Sequence, residues 1–197
     1  MSERAKNLAW IDLETTGADE MHGSVLEVGV VISAPTLQTL VETSWLVYPD
    51  PEHLASMEPV VAEMHQVSGL MDDIRAYGGA DLKDVDRALE WLLRDHAVKG
   101  QCVLAGSGVG HFDSRWIRRH LPRSARRLTY AFCDVGTVRR FLASVDAELV
   151  RPAPPKAHRG LDDARDHLNE WRHYAEMMRE ASTPLRVAAE RLLQSRS

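Results

Sequence analysis

Cysteine is scarce. Only Cys102 and Cys133 occur, too few for the disulfide framework of a small secreted domain, and each sits in an apolar stretch that reads as a buried strand. Both are read as reduced core thiols. No run approaches the ~18 to 20 apolar residues of a membrane span, and Met1-Ser-Glu-Arg-Ala-Lys-Asn7 lacks the apolar centre of a signal peptide. The expected location is the cytoplasm, with no membrane partner. Internal repeats, low-complexity tracts and long Gly/Ser linkers are missing too, so the 197 residues are expected to build one core. Several motifs are absent. Gly106-Ser-Gly-Val-Gly110 does not give a dinucleotide fingerprint, because the third glycine position falls on His111 or Asp113 and the turn does not follow the first strand. There is no phosphate-loop lysine motif and no His-Glu-x-x-His zinc pair. Positive charge is also in deficit, with a formal net charge of −5. That excludes a nucleic-acid partner only if charge is evenly spread and no metal is bound.

What is present is ordinary globular composition, 44% hydrophobic and 27% charged. Leu8 to Leu13, Val25 to Ile32 and Glu42 to Tyr48 read as strands of a meander, which Pro49-Asp50-Pro51 stops. Helical patterns follow around Leu54 to His65 and from Asp81 to His96, where Val85, Leu89, Leu92 and Leu93 share a face. Gln101 to Ala105 reads as a strand, Phe112 to Leu121 as a helix stopped by Pro122, and Leu128 to Asp134 as the last strand, with a helix through about Leu149. Pro152, Pro154 and Pro155 force an extended loop up to Ala157. From Leu161 a long helix carries Leu161, Ala164, Leu168, Trp171, Ala175 and Met178 on one stripe, and Pro184 opens a final helix. The pattern predicts an α/β fold with a central mixed sheet flanked by helices. Residues 1–182 would form the main domain and 183–197 a C-terminal helical extension.

Acidic residues collect at the ends of these elements. Asp12 and Glu14 lie two apart in a strand, so their carboxylates project from one face while Leu13 faces the opposite layer. Asp113 starts a helix, and His158 precedes Asp162 and Asp163 at the start of another. Each has a bland reading alone, as a solvated strand end, an N-cap or a helix-dipole partner. Together they can hold two hard divalent cations, Mg²⁺ or Mn²⁺, with a histidine near enough to take a proton from water.

The chain resembles the DEDDh family of 3'-5' exonucleases, and within it the oligoribonuclease branch. The resemblance is carried by Trp10-Ile-Asp-Leu-Glu-Thr-Thr-Gly17, Met64-His-Gln-Val-Ser-Gly-Leu70, Ala105-Gly106 leading to Asp113, Cys133-Asp-Val-Gly-Thr137 and His158-Arg-Gly-Leu-Asp-Asp-Ala-Arg165. It implies a ribonuclease-H-like fold, with Asp12, Glu14, Asp113 and Asp163 as metal-binding acids and His158 as general base. The family's spacing of five from histidine to aspartate selects Asp163 over Asp162. The implied substrate is short single-stranded RNA, favoured over DNA, contacted by Leu13, Thr15, Thr16, Gly17 and His65. A homodimer is also implied, with Tyr130 reaching the neighbouring subunit. Strand packing is the alternative reading of Tyr130.

The chain departs from that branch at three positions. Ala18 stands where the branch has a leucine wedge, Ala131 where it has a cap arginine and Gly136 where it has a cap serine. The turn before Asp113 is also one residue longer. A dedicated dinucleotide enzyme is therefore not expected. Arg115, Arg118, Arg119, Arg123, Arg126 and Arg127 follow Asp113 without an intervening acid; they form either a solvated face or a phosphate contact, with Arg115, Arg118 and Arg119 the first candidates because they lie in the helix that begins there. Trp45, Trp91, Trp116 and Trp171 read as core or interface residues. The rival readings are a DNA exonuclease of the proofreading or repair type and a binding module that kept the fold without catalysis.

Overall fold

The first three strands form the expected meander. In a computed structural model that describes residues 6–152, 154–182 and 184, β1 (Leu8–Thr15), β2 (Val25–Ser33) and β3 (Thr39–Leu46) pair antiparallel in order. β1 outruns its apolar segment because ladder pairing continues through Asp12↔Gly29 and Glu14↔Glu27. β3 likewise starts earlier than its alternation suggests, since Thr39 pairs with Ser33.

The single helix expected around Leu54 to His65 is instead broken into α1 (Pro51–Ala55) and α2 (Pro59–Val67), with a further helix, α3 (Leu70–Tyr77), behind them. Pro51 and Pro59 open helices, where a missing N–H costs nothing. Gly69, at φ +76°, makes the left-handed turn into α3. α4 (Leu82–Asp95) starts on Asp81, whose carboxylate accepts the Lys83 N–H at 2.7 Å. After β4 (Cys102–Gly106) come α5 (Asp113–His120) and a short α6 (Pro122–Ala125), so Pro122 both ends one helix and starts another. β5 (Leu128–Asp134) leads into α7 (Val135–Val145). α7 stops short of Leu149 because Asp146 caps a separate 3-10 turn, Ala147–Leu149. α8 (Gly160–Glu180) is the long terminal helix. The helix expected after Pro184 lies outside the described residues.

The sheet order is β3-β2-β1-β4-β5, with β4 parallel to β1 and β5 parallel to β4. Ala9, Ile11, Leu13, Val28 and Val30 face α4 and α5, packing on Val85, Leu89, Trp116 and Ile117. Leu8, Trp10 and Val31 face α8, packing on Ala164 and Leu168. Asp12 and Glu14 continue the parity of Trp10 and so fall on the α8 side. Every residue of β2 is buried, as expected for a strand covered on both faces.

Three expectations change. Met178 is exposed, so the apolar stripe of α8 ends before it. Trp91 is 56% exposed and does not belong to the core. Cys102 is a buried free thiol as read, but Cys133 is only half-buried, because β5 is an edge strand. Among the described residues no helix is long and apolar enough to cross a membrane.

Candidate active site

β4 pairs only with Leu8, Ala9 and Trp10 of β1. The remainder of β1 therefore runs past the end of β4, and a crevice opens where the antiparallel half of the sheet meets the parallel half, a favoured binding position in α/β sheets. Asp12 and Glu14 sit on this overhang. The chain leaves β4 at Gly106 and turns back so that Asp113, in the first turn of α5, accepts the Leu13 N–H at 3.2 Å.

The third wall comes from the start of α8. Gly29 on β2 and Gly160 on α8 meet backbone to backbone: a Cβ on Gly29 would lie 1.9 Å from the Gly160 carbonyl carbon. Beside this contact the buried Glu27 carboxylate accepts the Gly160 N–H at 2.9 Å and pairs with Arg159 at 3.2 Å, while Arg159 also reaches Asp73 at 2.7 Å. His158 takes the left-handed conformation, φ +52°, just before this anchor. It is thereby turned toward the crevice. Glu14, His158 and Asp163 each offer a ligand atom, and the three atoms lie within 4.8 Å of one another.

The resulting cleft, about 460 Å³, is lined by Asp12, Glu14, Asp113, Asp163 and His158, together with Leu13, Thr15, Gly17, Ala18, Val61, Met64, Lys156 and the turn residues Ser107, Gly108, His111 and Phe112. Burial pushes the carboxyls up, and at Asp12 and Glu14 repulsion from the other site acids adds to it. Asp12 is raised well above the usual carboxylate range by burial and then by Asp113, Glu14 and Asp163. Glu14 rises to about 8 and Asp113 to about 7, with burial the largest cause in both, and burial also raises Asp163. Lys156 opposes every one of these shifts. Clustered oxygen donors with too little positive charge fit a hard divalent cation, which would relieve the same repulsion. Asp162 pairs instead with Arg165 at 2.9 Å and does not line the cleft.

The other expected residues divide. Leu13, Thr15 and Gly17 line the cleft, while the Thr16 hydroxyl accepts the Ser24 N–H at 2.9 Å and shapes the β1–β2 loop. His65 is fully buried; its Nε2 donates to the Thr15 carbonyl at 2.8 Å and its Nδ1 lies 3.7 Å from Glu14. It supports the end of β1 from behind. Arg115 is held by Glu20 in the β1–β2 loop through contacts of 2.6 to 3.0 Å, outside the cleft lining. Arg123 and Arg127 pair with Glu90. Among the described residues Arg118, Arg119 and Arg126 are exposed and form no ion pair. Tyr130, on the edge strand, is 92% exposed, which removes the strand-packing reading.

Sequence reasoning missed three contributors. Lys156 is signalled by its position between the prolines and His158. Glu27 is signalled as the lone charge in the apolar run of β2. His167 follows Asp163 by one helical turn, a spacing that puts both on one face. It is buried, its Nδ1 lacks a hydrogen-bond partner and lies 3.9 Å from Asp12 Oδ1. Burial, followed by the Lys156 charge, lowers its pKa to about 4, so the ring is neutral at pH 7.

A crevice at the end of a mixed sheet, walled by four convergent carboxylates and a histidine, defines a nuclease-type site on a ribonuclease-H-like fold. The chain belongs to the RNase_T exonuclease family, whose model matches residues 9–170. It is 30% identical over 175 residues to a probable oligoribonuclease of Dictyostelium discoideum, covering 88% of this chain and 91% of that one. It is 29% identical to an oligoribonuclease of Vibrio cholerae, over 88% and 96% of the two chains, and 31% identical to a mitochondrial oligoribonuclease of Mus musculus, over 86% and 72%. Among solved structures it is similar to exonuclease I of Methylocaldum szegediense, with a TM-score of 0.64 at 17% identity, covering 86% of this chain and 40% of that one. It is also similar to E. coli exonuclease I in complex with a dT13 oligonucleotide, with a TM-score of 0.66 at 12% identity, covering 91% and 42%. The chain thus spans about two-fifths of these exonuclease I chains, and at such identity they bear on the fold alone.

Proposed function

We propose that this exonuclease acts from the 3' end of short single-stranded RNA and releases nucleoside 5'-monophosphates with the help of two Mg²⁺ or Mn²⁺ ions. The observation that carries the reading is the convergence of Asp12, Glu14, Asp113 and Asp163 on one cleft with His158 beside them. When bound there, the ions supply positive charge that stabilises the phosphate and makes a water molecule more acidic. The four carboxylates would hold the ions, and each is carried by β1 or the first turn of α5 or α8. His158 accepts the proton of the attacking water at its imidazole nitrogen. The bond from water oxygen to phosphorus forms as the bond to the 3'-oxygen of the preceding nucleotide breaks, so the terminal nucleotide departs with its 5'-phosphate. Leu13, Thr15 and Gly17 border this terminal nucleotide. Thr16, His65 and Arg115 act indirectly, by shaping the β1 end and the β1–β2 loop.

RNA is favoured because the relatives matched over most of their length are named oligoribonucleases. DNA appears in the titles of the exonuclease I complexes, at 12 to 14% identity, and remains the alternative substrate. Strand length is read from small side chains. Ala18 lines the cleft with only a methyl group to offer, and neither Ala131 nor Gly136 has a polar side chain to close the 5' end. Strands longer than two nucleotides are therefore accepted. A homodimer is part of the reading, supported by the exposure of Tyr130. So is the cytoplasm, to which the two free thiols are suited.

The test is mononucleotide release from 5'-labelled RNA and DNA of matched sequence, from two nucleotides upward, with Mg²⁺ or Mn²⁺. RNA of three to seven nucleotides should be degraded at rates comparable to the dinucleotide. A sharp dinucleotide preference overturns the argument from Ala18, Ala131 and Gly136. Faster hydrolysis of DNA overturns the substrate assignment, and no metal-dependent release from either strand revives the binding-module reading.

A further inference from the structure

We propose that His167 is a positioning residue for Asp12: its ring Nδ1 donates to the Asp12 carboxylate and fixes the orientation in which that carboxylate meets a divalent cation. The inference rests on the reading of Asp12 as a metal ligand. It starts from an unexplained group. The His167 ring is buried and Nδ1 has no hydrogen-bond partner, and buried polar atoms in folded proteins are nearly always paired. Asp12 Oδ1 lies 3.9 Å from it. That gap is too long for a hydrogen bond, and in the proposed role the Asp12 carboxyl closes it by turning toward Nδ1 when it takes up a cation.

The surroundings hold the ring in this orientation. Gly106 at the end of β4 abuts it, since a Cβ added there would lie 3.6 Å from Nδ1. Beside it a cavity of about 50 Å³ is lined by His167, Glu170, Arg139 and Asp166 together with Lys156 and Asp163, which also line the cleft, with room for an ordered water. Glu170, which lines this cavity, is itself fixed: Arg139 reaches it at 2.8 and 2.5 Å, and the Tyr174 hydroxyl donates to it at 2.9 Å. His167 therefore faces Asp12 on the cleft side and shares its cavity with a Glu170 carboxylate that is already paired. Because Nδ1 faces a carboxylate oxygen, the proton belongs on that nitrogen. Histidine and carboxylate partners of this kind orient metal-binding groups from outside the coordination sphere. An aliphatic side chain at 167 would fill the same space and leave Asp12 without a donor.

The experiment is calorimetric titration of Mn²⁺ into the full-length protein and into His167→Leu, His167→Asn and Asp12→Asn. His167→Leu should weaken Mn²⁺ binding about 10- to 100-fold, and lower kcat with little change in KM for an RNA oligomer. His167→Asn, whose amide N–H can reach the same oxygen, should stay near wild-type affinity. An unchanged Mn²⁺ affinity in His167→Leu overturns the proposal, and so does an Asn variant as weak as the Leu variant, which would reduce the residue to packing. Asp12→Asn separates the two levels of argument. Unchanged Mn²⁺ binding there overturns Asp12 as a ligand, whereas a loss there with none in His167→Leu overturns only the role of His167. Should His167→Leu not fold, the ¹⁵N chemical shift of the wild-type ring in Mg²⁺ decides: a protonated Nδ1 supports the proposal and an unprotonated Nδ1 overturns it.

Discussion

His158 occupies two positions at once. Its φ of +52° is uncommon for a residue with a Cβ, and it is maintained because Arg159 and Gly160, immediately after it, are tied to Glu27. Its ring also belongs to the group of three ligand atoms within 4.8 Å formed with Glu14 and Asp163. As a general base it should be dispensable for metal binding and indispensable for turnover. His158→Ala is expected to lose on the order of 10²- to 10⁴-fold in kcat while binding Mn²⁺ nearly as tightly as the wild type. A parallel loss of Mn²⁺ affinity, measured by titration, would make it a ligand instead.

At the scale of elements, the site depends on how closely α8 approaches β2. The contact between Gly29 and Gly160 leaves no room for a side chain, and neither backbone can yield without moving a strand or a helix start. Gly29→Ala is therefore expected to cost on the order of 3 kcal/mol or to prevent folding, read as a lower thermal midpoint; an unchanged midpoint would mean that α8 can shift freely. Much of this layer was legible. Strand parity put Asp12 and Glu14 on one face, β5 runs from Leu128 to Asp134 as its apolar run suggested, and α8 begins within a residue of the position expected. The pattern did not reveal how far helices would be subdivided around Pro59 and Gly69, because apolar periodicity continues across both breaks. Nor did it reveal what long-range partners do. Arg115 reads as a free cation until Glu20, from the β1–β2 loop, is seen to hold it. His65 reads as a cleft residue until α2 buries it against the Thr15 carbonyl.

At the scale of the whole molecule, two predictions concern stability and assembly. Burial pushes the Cys102 thiol from 9.0 up to about 11. In the unfolded chain that thiol ionises near pH 9, while the folded chain keeps it protonated, so the unfolded state binds fewer protons over this window. The contribution to stability is fully present below pH 9 and is lost as pH rises to 11, on the order of 2 to 3 kcal/mol. Denaturation curves of wild type and Cys102→Ala should therefore converge or cross between pH 9 and 11; curves that stay parallel would refute it. For assembly, the exposed aromatic ring of Tyr130 on the edge strand is the marker. Tyr130→Ala is expected to weaken self-association, measured by light scattering across a concentration series, and a monomeric wild type at all concentrations would remove the dimer.

The backbone contact that joins β2 to α8 also has a consequence for folding. Asp12 and Glu14 are set in place by β1 pairing with its neighbour strand, but Asp163 and the histidine before it reach the crevice only when α8 lies against Gly29. Until then the polypeptide carries a partial cluster with one wall missing. The centre is therefore completed by tertiary packing and not by β1 alone, and any partly folded chain without the α8 contact carries carboxylates that cannot act together.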